Sequence, residues 1–153
     1  MQMHYVFIDY ENIQPGNMGL LTQGLEKIKI KIFLGRHQSM IPLSMVRALH
    51  ALGEDAEYIQ LDSARRNAID FNIAFQLGEL AIQHPEARFS ILSNDPGYNA
   101  IVDGLQSKGI ICARFADIES LLGQFTVHLA TGQKLPQKDK VVAINNRGQT
   151  TTF

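Results

Sequence analysis

The chain has 153 residues, of which 45% are apolar and 19% are charged. This length and this balance predict one globular domain that can bury its own hydrophobic core. A formal net charge of −1 excludes a general polycation, so a nucleic acid would have to be bound through a local basic patch.

Cysteine use and the pattern of apolar residues favour a cytoplasmic location. The single cysteine, Cys112, lies in an apolar run, which excludes a disulfide framework and is typical of a reducing compartment. The sequence starts without a basic segment followed by an apolar stretch, so no signal peptide is expected. No apolar run is long enough to cross a bilayer, and we therefore expect no membrane contact.

Five predicted strands alternate with helices along the chain. The first strand, His4–Ile8, runs directly into the polar residues Asp9–Asn12. The other strands have short apolar or alternating patterns bounded by glycine, proline or acidic residues; they are Lys29–Leu34, Ala56–Leu61, Arg88–Leu92 and Ile110–Phe115. Apolar residues at helical spacing predict helices that begin near Leu20, at Pro42, at Asn67, after Gly97 and at Asp117.

The helix from Asn67 to about Gln83 differs from the others in its pattern. Asn67 is predicted to cap it, and apolar residues occupy most of its sides, so we expect it to be well buried.

The helix after Asp117 completes a predicted domain of residues 1–132. Residues 133–153 form a polar C-terminal tail, in which Val141–Ile144 is a candidate strand.

Alternating strands and helices predict a single doubly wound α/β domain with a mostly parallel five-stranded sheet. In strand order 3-2-1-4-5, the first and fourth strands are neighbours at the topological switch point, where ligands bind in such folds. Parallel strands all end at one edge of the sheet. Asp9, Asp95 and Asp70, which follow two strands and begin a helix, should therefore lie at the same edge.

Three carboxylates at one edge have a clear chemical use. Divalent cations such as Mg²⁺ or Mn²⁺ take oxygen ligands and relieve the repulsion between crowded acids. Asn12 would then orient a water molecule or hold a phosphate oxygen beside Asp9. Each acid also has a structural alternative: Asp9 as a strand-end acid, Asp70 as part of a helix cap, and Asp95 as a turn residue.

Basic and polar residues near the same edge suggest a partner that carries phosphates. Arg36 follows the second strand, and Arg65 and Arg66 precede the long helix, so all three could contact a nucleic-acid backbone. Ser93 and Asn94, at the end of the fourth strand, offer further polar groups. The alternative for the arginines is charge neutralisation of the acidic edge. Two tyrosines, Tyr10 and Tyr98, are predicted to pack within turns, and the alternative is that they stack on nucleic-acid bases.

Three segments together resemble the PIN-like nuclease superfamily, and most closely its NYN type. They are Phe7–Ile13, Asn67–Phe71 and Ser93–Tyr98, and the resemblance covers roughly residues 4–116. It implies a ribonuclease that depends on Mg²⁺ or Mn²⁺, with Asp9, Asp70 and Asp95 as metal ligands and Asn12 beside them. One position departs from the pattern, because Gly97 stands where many members have a further aspartate.

The sequence thus predicts a metal-dependent endoribonuclease that acts on single-stranded or structured RNA, with DNA open as a substrate. The alternative is a non-catalytic PIN-like module that binds RNA or assembles with a protein partner. In that case the C-terminal helix or the tail would provide the contact, including that of a homodimer. A receiver-like signalling domain also gathers aspartates at strand ends, but the expected later lysine is missing.

Overall fold

The computed structural model describes residues 2–131, 142–144 and 150–152. Its main sheet contains strands β1 (His4–Asp9), β2 (Ile28–Leu34), β3 (Ala56–Gln60), β4 (Arg88–Leu92) and β5 (Ile111–Phe115). Its α-helices are α1 (Met18–Gly24), α2 (Leu43–His50), α3 (Ala68–Gln83), α4 (Asn99–Ser107) and α5 (Ile118–Thr131). All strands of this sheet are parallel and their order is β3-β2-β1-β4-β5, which confirms the predicted topology.

The central strand β1 is the most deeply buried part of the sheet. Every residue from His4 to Asp9 is buried, because β2 and β4 pair with it on both sides and helices cover both faces. On one face Phe7 stacks on Phe33 of β2, with ring centroids 6.0 Å apart. An acid at the end of such a strand is therefore held between two neighbouring strand ends.

The helices form one layer on each face of the sheet. Helix α1 packs against α2 and α5, whereas α3 packs on β1 and β2 and also contacts α4. Right-handed crossovers produce this arrangement, because the chain winds outward in one direction to β3 and then back across to β4 and β5. The amino end of α3 consequently meets the carboxyl ends of β1 and β4.

The start of α3 corrects one prediction. Asn67 occupies the position that precedes the helix, but its side chain makes no capping hydrogen bond. Its backbone is left-handed, with φ 60°, a conformation that asparagine tolerates better than most residues. Asn67 therefore turns the chain into α3 through its backbone, and only its carbonyl bonds the helix, accepting from the amide of Phe71.

The burial of α3 corrects a second prediction. Its inner face, built from Ile69, Ile73, Leu77 and Ala81, is buried as expected. Its outer face is not covered, since Phe71, Phe75 and Ile82 are 72%, 69% and 84% exposed. An apolar pattern on most sides of a helix shows what the helix could bury, but other elements decide how much of it is covered.

The C-terminal region adds a second, small sheet. Strands β6 (Val142–Ile144) and β7 (Thr150–Thr152) pair in antiparallel fashion, which confirms the candidate strand near Val141. The polar segment Lys134–Lys140 of the predicted tail lies outside the described residues. Within the part of the chain that the structure describes, no helix is both long and apolar enough to span a bilayer.

Candidate active site

Asp9, the last residue of β1, is only 3% exposed and accepts several hydrogen bonds. Its Oδ2 atom accepts from the hydroxyl of Tyr98 at 3.0 Å and, more weakly, from that of Ser93 at 3.4 Å. Its Oδ1 atom accepts from the amide of Asn12 at 3.3 Å. Burial raises the pKa of Asp9, while these donors partly offset the rise by favouring the charged form.

Asn12 connects the ends of the two central strands. The amides of Asn12 and Ile13 both donate to the carbonyl of Asp9, which makes a tight turn directly after β1. The Oδ1 atom of Asn12 accepts from the amide of Asn94, beyond β4, at 2.7 Å. In this conformation the Asn12 side chain therefore positions the two loops that carry Asp9 and Asp95.

Asp70 reaches the same point from the first turn of α3. Its Oδ1 atom lies 3.2 Å from the hydroxyl of Tyr98, which also contacts Asp9. Burial and the neighbouring carboxyl group of Asp95 raise the pKa of Asp70 to about 6. Two acidic groups that approach each other so closely resist simultaneous ionisation unless a positive charge lies near them.

Asp95 begins the short 3-10 turn Pro96–Tyr98 that follows β4. Its Oδ1 atom accepts from the amide of Gly97 at 2.8 Å, and its own amide donates to the Ser93 hydroxyl at 3.1 Å. A Cβ atom at Gly97 would lie 3.1 Å from Oδ1 of Asp95. The turn role predicted as the alternative for Asp95 is therefore present, and glycine at position 97 leaves room for its carboxylate.

Two residues of this site were not recognised from the sequence. Tyr98, considered there only for turn packing or base stacking, is 3% exposed and joins Asp9 to Asp70 through its hydroxyl. Burial and the charges of the two acids raise its pKa, so the hydroxyl keeps its proton. Because a hydroxyl has one proton, Tyr98 can donate to only one of the acids at a time.

Arg114 supports the loop after β4 from the neighbouring strand. This arginine is buried in β5, and its guanidinium donates to the Ser93 carbonyl at 3.1 Å and to Oδ1 of Asn99 at 3.0 Å. Burial lowers its pKa, and the negative charge of Asp95 opposes that change. The signal in the sequence was a lone cation within the apolar run Ile111–Phe115.

The acids open onto a cavity of about 570 Å³ at the carboxyl edge of the sheet. Its wall includes all three acids and Asn12, and also the predicted phosphate-binding residues Arg36, Arg65 and Arg66. Sequence-distant acids and arginines therefore share one cavity. Ser93, which was predicted to contact a nucleic acid, is instead fully buried. Its hydroxyl donates to the Asp9 carboxylate and accepts from the amide of Asp95.

The fold and this site agree with a comparison against known families. A family model described as a PIN domain matches residues 3–115, which include every acid of the cavity. This chain belongs to the PIN domain family. PIN domains are commonly nucleases and typically use divalent metal ions. Neither the curated proteins nor the solved structures contain a match to this chain. The NYN type of this PIN domain stays a prediction.

The acids of this PIN domain converge without forming a closed metal cage. Among the residues that the structure describes, no three histidine, cysteine or acidic side chains stand close enough to hold an ion by themselves. Asp9 and Asp70 are joined through the Tyr98 hydroxyl, and Asp70 interacts with Asp95. Such a cluster suits a cation that keeps part of its water shell.

The raised pKa of Asp70 predicts a stability effect. The folded state holds the Asp70 proton more tightly than the unfolded chain, whose pKa is near 3.8, so this group destabilises the protein as pH rises through about 6. Without metal, Asp70→Asn should raise the melting temperature by about 2–4 °C at about pH 7.5, allowing for solvent screening. The gain should fade as the pH falls to about 4. Thermal melts in chelator would measure it, and an equal gain at both pH values would contradict it.

Proposed function

We propose that this PIN domain is a metal-dependent nuclease that hydrolyses phosphodiester bonds in RNA, either single-stranded or structured. One observation carries the proposal: Asp9, Asp70 and Asp95 line one cavity together with three arginines, and Asp70 interacts both with Asp95 and, through the Tyr98 hydroxyl, with Asp9. Carboxylates suit a divalent cation, whereas guanidinium groups suit phosphates. DNA remains open as an alternative substrate of the same chemistry.

The donor set of the acids fits Mg²⁺ or Mn²⁺. Asp9, Asp70 and Asp95 would hold the ion, since all offer the hard oxygen atoms that these cations prefer. A cation would also relieve the repulsion that raises the pKa of Asp70. Magnesium commonly binds through only one or two carboxylates together with water and substrate phosphates, so a closed protein cage is not required. When bound, the ion would help to activate a water molecule and to neutralise charge on the phosphoryl oxygens.

The other residues of the site bind and orient. Tyr98 holds the Asp9 and Asp70 carboxylates toward each other, and Arg114 holds the loop that carries Asp95. The arginines that line the same cavity would pair with backbone phosphates on both sides of the scissile bond. These contacts are largely independent of base identity, and a preference for RNA sequence would require further contacts.

A cytoplasmic location is part of the proposal. The supporting residue is Cys112, a free thiol that is completely buried in β5. Burial raises the pKa of this thiol to about 12, which keeps it protonated and unreactive. One free cysteine and no disulfide are typical of proteins in a reducing compartment.

A second candidate function is a non-catalytic module that binds RNA or assembles with a protein partner. Two observations favour it: the described residues contain no ready-made set of three metal ligands, and Gly97 replaces a possible further acid. In such a module the arginines would still bind phosphates, but the carboxylates would serve only the internal hydrogen bonds around Tyr98. The response to metal separates the two functions.

Metal binding should stabilise this protein measurably. At a Mn²⁺ concentration of ten times Kd, linkage contributes about 1.4 kcal/mol, or about 3–6 °C in melting temperature for a domain of this size. The measurement is a thermal melt with and without Mn²⁺, using Ca²⁺ as a comparison ion. In parallel, labelled RNA and DNA are incubated with the metal-loaded protein. RNA binding without a thermal shift or cleavage would support the non-catalytic module instead.

A further inference from the structure

An apolar stripe runs along the outer face of α3, away from the sheet. It consists of Phe71, Phe75, Gly78 and Ile82, which we call the outer stripe, and its three large side chains are mostly exposed. Successive members are four, three and four residues apart, which places them on one narrow face of a helix. A Cβ atom at Gly78 would meet nothing within 4 Å, so a hollow interrupts the stripe.

The charges around the outer stripe argue against a nucleic acid as its occupant. Between Ala68 and Gln83, α3 contains no lysine or arginine, and its charged residues are Asp70 and Glu79. A polyanion needs cations along its path, since phosphate contacts supply most of the affinity. The arginines of the cavity precede α3, so the stripe leads away from them. Its chemistry fits an apolar protein surface.

The spacing of the outer stripe is the same in both directions along the helix. In an antiparallel pair of α3 helices with a two-fold axis between residues 76 and 77, Phe71 of one copy faces Ile82 of the other. Phe75 then faces the hollow at Gly78, so the largest side chains meet the smallest residue. The nearby acid Glu79 faces Ala74, so no like charges stand opposite each other. A two-fold interface requires this kind of self-complementary surface.

We propose that the outer stripe is the interface of a homodimer in which two copies of α3 pack antiparallel. The three exposed side chains offer on the order of 400 Å² of apolar surface per copy, about half of a standard interface partner's share. A dimer of this size is expected to dissociate in the micromolar range. Since Asp70 points toward Tyr98 in the interior, the dimer leaves the acidic cavity free and does not depend on the proposed nuclease activity.

The test is sedimentation velocity of the full chain over the low to high micromolar range. Wild type should pass from monomer to dimer, and Phe75→Glu should weaken association by more than about 30-fold, as expected of a central aromatic contact. Leu43→Glu, which adds the same charge at an exposed apolar position of α2, is the matched control and should dimerise normally. A wild-type monomer at every concentration would overturn the proposal. So would a dimer that persists in Phe75→Glu, because its interface would lie elsewhere, for example on α5.

A swap of two residues tests the antiparallel pairing itself. Gly78→Phe should dissociate the dimer, because Phe75 of one copy would then collide with the new phenylalanine of the other. In the monomer a Cβ atom at position 78 meets nothing within 4 Å. Phe75→Gly should also dissociate the dimer, because the side chain that fills the hollow at Gly78 is lost. In the double variant the phenylalanine at position 78 faces the glycine at position 75 of the other copy, so the dimer should form again. Circular dichroism verifies that α3 stays folded, and a double variant that is folded but monomeric would exclude the antiparallel arrangement.

Discussion

Asp9→Asn is expected to abolish Mn²⁺-dependent cleavage of RNA, with a loss of more than about 100-fold in rate. Asp9 is the buried acid of the cluster, and its carboxylate accepts hydrogen bonds from Tyr98, Ser93 and Asn12. Asparagine has almost the same shape: its oxygen can accept from the Asn12 amide and its NH2 group can donate to the hydroxyls of Tyr98 and Ser93. It lacks the negative charge that a cation needs. The measurement is single-turnover cleavage of a labelled RNA at saturating protein.

The same variant should remain folded, which separates a chemical effect from a structural one. Because burial raises the pKa of Asp9, a neutral side chain at this position removes a cost of keeping a charge in the interior. We therefore expect the melting temperature without metal to be equal or higher at neutral pH. Asp103→Asn makes the same change on the exposed side of α4 and should cleave normally. Full activity of Asp9→Asn would contradict the proposal that Asp9 holds the metal ion needed for cleavage.

Replacement of Arg65 and Arg66 by serine should weaken RNA binding by about 10- to 100-fold at low salt. Both line the cavity that contains the acids, and phosphate contacts of this kind contribute to affinity through charge. The dependence of log Kd on log salt should also become flatter, by about one for each phosphate contact that is lost. Fluorescence anisotropy with an uncleavable RNA, measured over a salt series, gives both quantities.

A charge-matched variant tests whether position or overall charge matters. Arg47→Ser together with Lys108→Ser removes two cations from exposed sites that do not line the cavity. This variant should retain most of the wild-type affinity and the wild-type salt dependence. Equal losses in the two double variants would mean that RNA binding is diffuse, and the arginines of the cavity would then have no specific role.

Sequence patterns predicted most of the fold, because they report local backbone preferences and the side of each element that can be buried. The continuous apolar run of β1 and its abrupt end at Asp9 indicated a central strand that delivers an acid to the sheet edge. Connectivity then placed Asp70 and Asp95 at that edge, since all strands of a parallel sheet end together. The same patterns predicted the strand order that the structure confirms.

The details of the site depended on contacts between residues far apart in sequence. Tyr98 lies in a short turn, and nothing in its neighbourhood indicates that its hydroxyl joins Asp9, 89 positions away, to Asp70. Arg114 likewise binds a carbonyl 21 positions earlier. Such pairings follow from the angles at which strands and turns meet, and local periodicity does not contain those angles.

By itself the sequence determined that this protein has a parallel α/β sheet whose carboxyl edge carries three acids and three arginines. Those features follow from strand and helix signals within short windows, combined with the handedness of crossovers. Only the tertiary structure decided which acid is buried, which residue joins the acids, and which side of α3 stays uncovered. Burial depends on what the rest of the chain places against a surface, so an apolar helix such as α3 can present Phe71 and Phe75 to solvent.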